Sequence, residues 1–321
     1  MLPAMLSLNK YLAENGRHSL LRTYDQTPHS WYNNMSGKNF WEVLNSTPER
    51  IKQFSDGMSL FSAMQPVVAM FPFEESLLPG SSPDRVLAVD VGGGRGMAML
   101  EIRKNCPRLQ GELVLQDRPY VLDDIKPEDL PGVTKMPHDF FDEQPVKNAQ
   151  IYYIRRVLHD WQDEDVVKIL KAIVPAMGPD SRIIISDTTL PEPSTPTNAH
   201  AVWMDLMMMS IGGKERTKND WQRLADMSGL RLVEIWQEPE KTGNLCVVEY
   251  VLPNIPVAAV TNGLSFGVND KEMNTPTAEA TTEDVVPIPA GDLDGTAGQR
   301  EVDWDERTVV GDRGQSVEPG S

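Results

Sequence analysis

Four near-continuous apolar strings, RVLAVDV (85–91), GELVLQD (111–117), QIYYIRRV (150–157) and RIIISD (182–187), are separated by segments long enough to form helices. Strings that are apolar throughout, rather than at every second position, suit strands covered on both faces by helices, the condition of a parallel sheet. Two further runs, LRLVEIW (230–236) and NLCVVEYVL (244–252), are joined by QEPEKTG. That connection is shorter than the dozen or so residues a parallel crossover takes, so the last two strands are expected to pair antiparallel. The expected fold class is α/β, a Rossmann-like, doubly wound sheet with a closing antiparallel hairpin.

Ahead of the sheet the pattern is helical. TPERIKQFSDGMSLFSAM predicts a helix with Thr47 as N-cap and Pro48 at its first position. Residues 1–80 are therefore expected to form a short helical segment and 81–252 the sheet domain. Residues 253–321 hold 13 Asp or Glu against 4 Lys or Arg, a net of −9 out of −17 for the chain, with many Pro, Gly and Thr and no apolar periodicity. Such a segment cannot bury enough surface to offset its ordering entropy, so an acidic disordered tail is expected.

Composition excludes several classes. With 40% hydrophobic residues in 321 the chain supports a substantial core. The longest apolar runs, such as VVAMF (67–71), fall far short of the roughly 20 residues that span a bilayer, and the start shows no signal-peptide pattern. No membrane association and a cytoplasmic location are expected. Two cysteines, Cys106 and Cys246, give no disulfide framework, and no Cys/His cluster has metal-binding spacing, so no metal site is expected. The acidic balance argues against nucleic acid, whose phosphates need a basic face.

VDVGGGRGMAML places a strand, three glycines, Arg95, Gly96 and a helix in immediate succession. Gly92, Gly93 and Gly94 allow positive φ and close approach of a ligand, while the following helix presents free N–H groups. As a dinucleotide fingerprint the loop fails at its third glycine, where Met97 stands. Asp117 ends the next strand, 25 residues after Gly92, where a carboxylate accepts hydrogen bonds from ribose hydroxyls. Nicotinamide and adenosyl cofactors share that ribose; the missing glycine, the acidic Asp90 and the closing hairpin favour a cofactor without pyrophosphate.

VDVGGGRG, LQDRP, HDFFDEQP, YYIRRVLHDWQDEDVVKILK, ISDTTLPEP and GGKERTKNDWQRLADMSGL occur in that order. Together, over about residues 40 to 252, they resemble the S-adenosylmethionine-dependent class I O-methyltransferases of the plant caffeate and fungal secondary-metabolite type. The resemblance implies a seven-stranded sheet, S-adenosyl-L-methionine as cofactor and transfer of its methyl to a hydroxyl, phenolic in the first instance, of a small aromatic metabolite such as a polyketide. It also implies that Gly92, Gly93 and Gly94 line the methionine part of the cofactor and Asp117 holds the ribose. Asp139 and Phe140 would meet the adenine, and Arg155 stands where the plant enzymes carry lysine. Asp139 equally suits a turn ahead of a strand.

His159 follows the strand QIYYIRRV on the edge where open α/β sheets bind ligands. Methylating a phenol requires removal of a proton whose pKa is about 10, and a neutral imidazole is a suitable acceptor. His159 is accordingly the expected general base, although a histidine capping or packing at a helix start would look the same. The resemblance assigns Asp187, at the end of the following strand, and Glu215, in GGKERT, as its carboxylate partners. Asp160 and Asp163 read as helix-start residues.

Met204, Met207 and Met208 fall on one helical face, where they serve equally as core or as the wall of an acceptor pocket. Family members carry a longer N-terminal winged-helix region that interlocks two subunits, and residues 1–80 resemble only its end. A homodimer is thus allowed but weakened. Two other functions stay open: a pericyclase or non-catalytic partner of the same fold that binds the cofactor without spending its methyl, and a nicotinamide-dependent dehydrogenase.

Overall fold

In a computed structural model, the structure describes residues 2–16, 24–63, 67, 70–190, 199–237 and 245–254. The expected acidic tail lies outside these residues, apart from Pro253 and Asn254. Among the described residues, six α-helices precede the sheet: α1 (Leu2–Leu6), α2 (Leu8–Asn15), α3 (Pro28–Tyr32), α4 (Phe40–Leu44), α5 (Pro48–Ala63) and α6 (Phe73–Leu77). Thr47 begins α5 as expected, its Oγ1 accepting from the Arg50 N–H at 3.4 Å. Then follow β1 (Val86–Val91), α7 (Met97–Asn105), β2 (Glu112–Asp117), α8 (Pro119–Asp123), β3 (Thr134–Pro137) and β4 (Ile151–Arg155). The order continues with α9 (Asp163–Ile173), β5 (Arg182–Leu190), α10 (Ala199–Met209), β6 (Arg216–Thr217), α11 (Lys218–Ser228), β7 (Arg231–Gln237) and β8 (Leu245–Val251).

The strands lie in the order β3-β2-β1-β4-β5-β8-β7. Pairs among β1 to β5 are parallel, whereas β8 runs antiparallel to both β5 and β7. The doubly wound sheet and its closing hairpin are thus as expected, but the strand count is eight rather than seven. The additional strand is the two-residue β6, which pairs parallel with Thr189 and Leu190 at the far end of β5. Two residues carry no periodicity, so only the tertiary pairing makes them a strand. β3 is also poorly marked in sequence because three of its four residues are exposed.

Continuous apolarity in the central strands has the expected cause. On β5, Ile183 and Ile185 face a cluster with Ile169 and Leu170 of α9 and Trp221 and Leu224 of α11, while Ile184 faces Ala98, Met99 and Ile102 of α7. Successive side chains point to opposite faces, so a strand with helices on both sides needs apolar residues at every position. Smaller contacts bind the N-terminal helices to this body. Met204 and Met208 of α10 pack with Phe40 and Leu44 of α4, and the partly buried Met207 packs against them, so the methionine stripe is core between the two parts. No helix among the described residues is long and apolar enough to cross a membrane.

Ile184 is fully buried, and Ile184→Ala should lower unfolding free energy by about 2–5 kcal/mol through lost contact and a residual cavity. Urea denaturation reads this directly; a loss below about 1 kcal/mol would mean that the α7 face of the sheet is loosely packed.

Candidate functional site

The glycine corner is built where β1 meets α7. Gly92 and Gly94 adopt φ of 68° and 59°, left-handed values that side chains with a Cβ resist. Gly93 is required sterically, since a Cβ there would lie 2.2 Å from Cγ of Asp90 and 2.6 Å from Leu115 Cδ1. The loop is tied to the next strand: the Gly92 and Gly93 N–H groups donate to the Gln116 carbonyl, and the Gly94 N–H donates to Asp117 Oδ2 at 2.8 Å. The Arg118 N–H holds the other Asp117 oxygen at 2.7 Å. Burial raises the Asp117 pKa, and these two N–H groups and the Arg118 charge oppose the rise.

Asp90, beneath the loop, is almost wholly buried, and neither carboxylate oxygen has a hydrogen-bond partner among the described residues. Burial drives its pKa up to about 7 against the opposing charge of Arg155, which ends β4, with Asp117 adding to the rise. A buried carboxylate without partners is costly unless something meets it. A Cβ on Gly92 would press on Val157 and the Phe140 ring at 3.0 and 3.5 Å, so the glycine keeps a gap open between loop and aromatic. An orphaned acid, a left-handed loop, a ribose-type carboxylate and an aromatic face together fit an adenosyl cofactor.

Asp139 has a structural job too: its Oδ1 accepts the Phe141 N–H at 3.1 Å in a tight turn, and its Oδ2 lies 3.3 Å from Arg118. That turn presents Phe140, whose ring packs against Phe141 and Trp161 at centroid separations of 5.0 and 5.9 Å.

His159 lies in a short 3-10 turn, Leu158–Asp160, immediately beyond β4. Its Nδ1 is 3.0 Å from Glu215 Oε1 and 3.1 Å from Asp187 Oδ1, and all three side chains are buried. With carboxylate oxygens on this side, Nδ1 must carry the proton, which leaves Nε2 as the nitrogen available for chemistry. Nε2 is 3.7 Å from Asp160 Oδ1. Three residues far apart in the chain are thus brought together as the sequence suggested, and a fourth, Asp160, joins them. Asp160 does not start a helix, because α9 begins three residues later with Gln162 as its N-cap.

Burial acts to lower the His159 pKa, but the charges of Asp187, Glu215 and Asp160 outweigh it and carry it up to about 10. Burial also raises Glu215, against the pull of His159, and lifts Asp160 to about 7. The nearby cation is Arg156, a non-glycine residue at φ 55°, whose N–H donates to the Ser186 carbonyl. Burial and Arg155 lower its pKa to about 10, while Asp187 and Glu215 resist this.

Local devices hold the set in place. β6 pins Glu215 beside the end of β5, and Asp205 of α10 accepts the Glu215 N–H at 2.9 Å. Gly213 lets the chain pass the His159 carbonyl, since a Cβ there would lie 2.1 Å from that oxygen. Arg216, fully buried, donates to the Leu158 and Trp161 carbonyls at 2.8 and 2.7 Å and to Asp163, so one guanidinium clamps the turn that carries the histidine. Sequence reasoning missed Asp160, Arg156 and Arg216. The only signal was proximity to His159 or Glu215 in sequence, and an arginine beside a carboxylate normally reads as surface.

Arg216→Met should destabilise the fold by about 3–5 kcal/mol, because two carbonyls and Asp163 lose a buried charged donor. Chemical denaturation tests this, and a loss under about 1 kcal/mol would deny the clamp. His159 should also make stability pH-dependent. Its folded-state pKa lies above the unfolded one, so its contribution is complete below about pH 6.5 and is lost as pH rises through about 10. The thermal midpoint should therefore fall over that interval, and the fall should be shallower in His159→Gln.

The O-methyltransferase domain family matches residues 18–231. O-methyltransferase afvC of Aspergillus flavus is 35% identical over 240 residues, 74% of this chain and 58% of that protein. Demethylsterigmatocystin 6-O-methyltransferase stcP of Emericella nidulans is 39% identical over 204 residues, 63% of this chain and 98% of that protein. Among solved structures, LepI in complex with SAM is similar at a TM-score of 0.69 and 32% identity, over 78% of this chain and 64% of that one. A structure described as a pericyclic reaction enzyme gives 0.67 and 31% over the same shares. The chain spans a little under three-fifths of the length of afvC, 58%.

Proposed function

Because the chain belongs to the O-methyltransferase domain family, we propose that it moves the methyl of S-adenosylmethionine to a hydroxyl of a secondary metabolite, a phenol of an aromatic polyketide or similar compound. The observation that carries this reading is the buried imidazole whose Nδ1 faces Glu215 and Asp187 at 3.0 and 3.1 Å, on the sheet edge that also holds the glycine corner. Support for the acceptor class comes from stcP, named for methylation of demethylsterigmatocystin, and for the cofactor from LepI, solved with SAM.

In this reading Gly92, Gly93 and Gly94 line the methionine part of the cofactor, and Asp117 accepts from the ribose hydroxyls. Asp139 and Phe140 meet the adenine, with Arg155 alongside. When bound, the cofactor would supply an electrophilic methyl group on a positively charged sulfur, a neutral leaving group for the acceptor oxygen. His159 takes the hydroxyl proton at Nε2. Glu215 and Asp187 keep the ring from turning and favour the charge it acquires. Residues 81–252 form the catalytic part, 1–80 a helical segment ahead of it and 253–321 an acidic segment, in a cytoplasmic protein able to form a homodimer.

His159→Ala should lower the rate of methyl transfer to a phenolic polyketide by about 10²–10⁴-fold and leave S-adenosylmethionine binding within a few-fold of wild type. Turnover is read by mass spectrometry as gain of one CH₂ by the acceptor, and an unchanged rate would remove His159 from the mechanism. The likeness to a pericyclic reaction enzyme supports a second reading, in which the bound cation assists a rearrangement and is not consumed. Product formed without any S-adenosylhomocysteine would establish that reading and overturn the first.

A further inference from the structure

The charges around His159 set a problem for a base. Asp187 from β5, Glu215 from the turn before β6 and Asp160 from the 3-10 turn lie 3.0–3.7 Å from the ring nitrogens. Asp205 from α10, itself opposed by the Lys214 charge, adds negative charge behind Glu215, and the charge of Arg156 beyond β4 acts on the cluster. Asp187 Oδ2 and Glu215 Oε2 are buried without hydrogen-bond partners among the described residues. A neutral ring would leave two buried carboxylates and the nearly buried Asp160 clustered at its two nitrogens, an excess of negative charge that a low-dielectric site opposes strongly. A second ring proton, on Nε2, relieves part of that excess and gives Asp160 an ion-pair partner. Yet a ring that carries both protons has no lone pair to take one from a phenol.

We propose that the free protein holds His159 as an imidazolium inside this carboxylate cage, and that His159 gives up its Nε2 proton to solvent when the cationic methyl donor is bound, so that the base exists only in the loaded site. The inference rests on the methyltransferase reading. One contact and one pair of charges link the glycine corner to the cage: Gly92 lies against Val157, two residues before His159, and the charges of the adjacent Arg155 and Arg156 act on Asp90 and on the cage respectively. A sulfonium held at that corner brings a further positive charge, which disfavours the charged ring. The N–H bond breaks with its electron pair retained on Nε2. Asp160, whose side chain at 12% exposure is the most open of the set, is the route outward. The proton later taken from the acceptor hydroxyl restores the imidazolium. The proton that the overall reaction yields therefore leaves at loading, before methyl transfer.

Calorimetric titration of the full chain with S-adenosylmethionine and with S-adenosylhomocysteine, at about pH 7.5 in buffers of different ionisation enthalpy, counts protons released on binding. The sulfonium ligand should release roughly one proton more than the neutral sulfide, and the difference should vanish in His159→Asn. Equal release by both ligands, or a difference that persists in the variant, overturns the inference while leaving the cofactor assignment standing. Absence of binding by both ligands overturns the cofactor assignment and the inference together. Should His159→Asn fail to fold, the ¹³C shift of the His159 ring in wild type, assigned by its response to Asp160→Asn, decides the question. A protonated ring in the free and sulfide-bound protein and a neutral ring with the sulfonium bound is the expected pattern, and a neutral ring in the free protein overturns it.

Discussion

Parallel pairing of β1, β4 and β5 is the constraint on which the site depends. Parallel strands point to the same edge, so Gly92 after β1 and Arg156 after β4 share it with Asp187; Asp187 does not end its strand as expected, because β5 runs on to Leu190, but it is the residue just past Ser186, the partner of the last residue of β4. Chain segments that contact a ligand at such an edge inherit the rigidity of the buried strands behind them. The 3-10 turn of His159 leaves β4 on that edge, and Arg216 fixes the turn through two of its carbonyls.

Electrostatics then determines what the assembled residues can do. An imidazole in an apolar pocket would be a weak base, held neutral by burial. Here the same burial strengthens its attraction to Asp187, Glu215 and Asp160, and the net result is a raised affinity for protons. At the glycine corner burial acts in the other direction: Asp90, buried and without hydrogen-bond partners among the described residues, has its proton affinity raised by burial, with Asp117 adding to it, against the pull of Arg155. One half of the edge is thus short of positive charge in the free protein, and the other half has already satisfied that need with a proton.

Much of this was readable in the sequence, for reasons that differ from residue to residue. Gly92, Gly93, Gly94 and Asp117 were legible because a backbone conformation and a strand end leave local marks. His159 was legible because it directly follows an apolar string. Asp187 and Glu215 needed the family resemblance, since nothing local distinguishes a carboxylate that will meet an imidazole from one that will meet water. Asp160 was misread as a helix start, because Asp is common there and the 3-10 turn that redirects it has no sequence signature. β6 was missed because two residues carry no period.

By itself the sequence determined the layers: apolar strings with helices between them require a doubly covered parallel sheet, and the short link before the last run requires an antiparallel close, because periodicity and connection length are local properties. Only the tertiary structure decided which charges share a cavity. Whether Asp160 faces His159, whether Arg216 is a surface residue or a clamp, and how many carboxylates surround one imidazole all depend on strand order and on two residues pairing at the end of β5. Coulomb energies depend on distances through space and on burial, and neither is written in the order of residues along the chain.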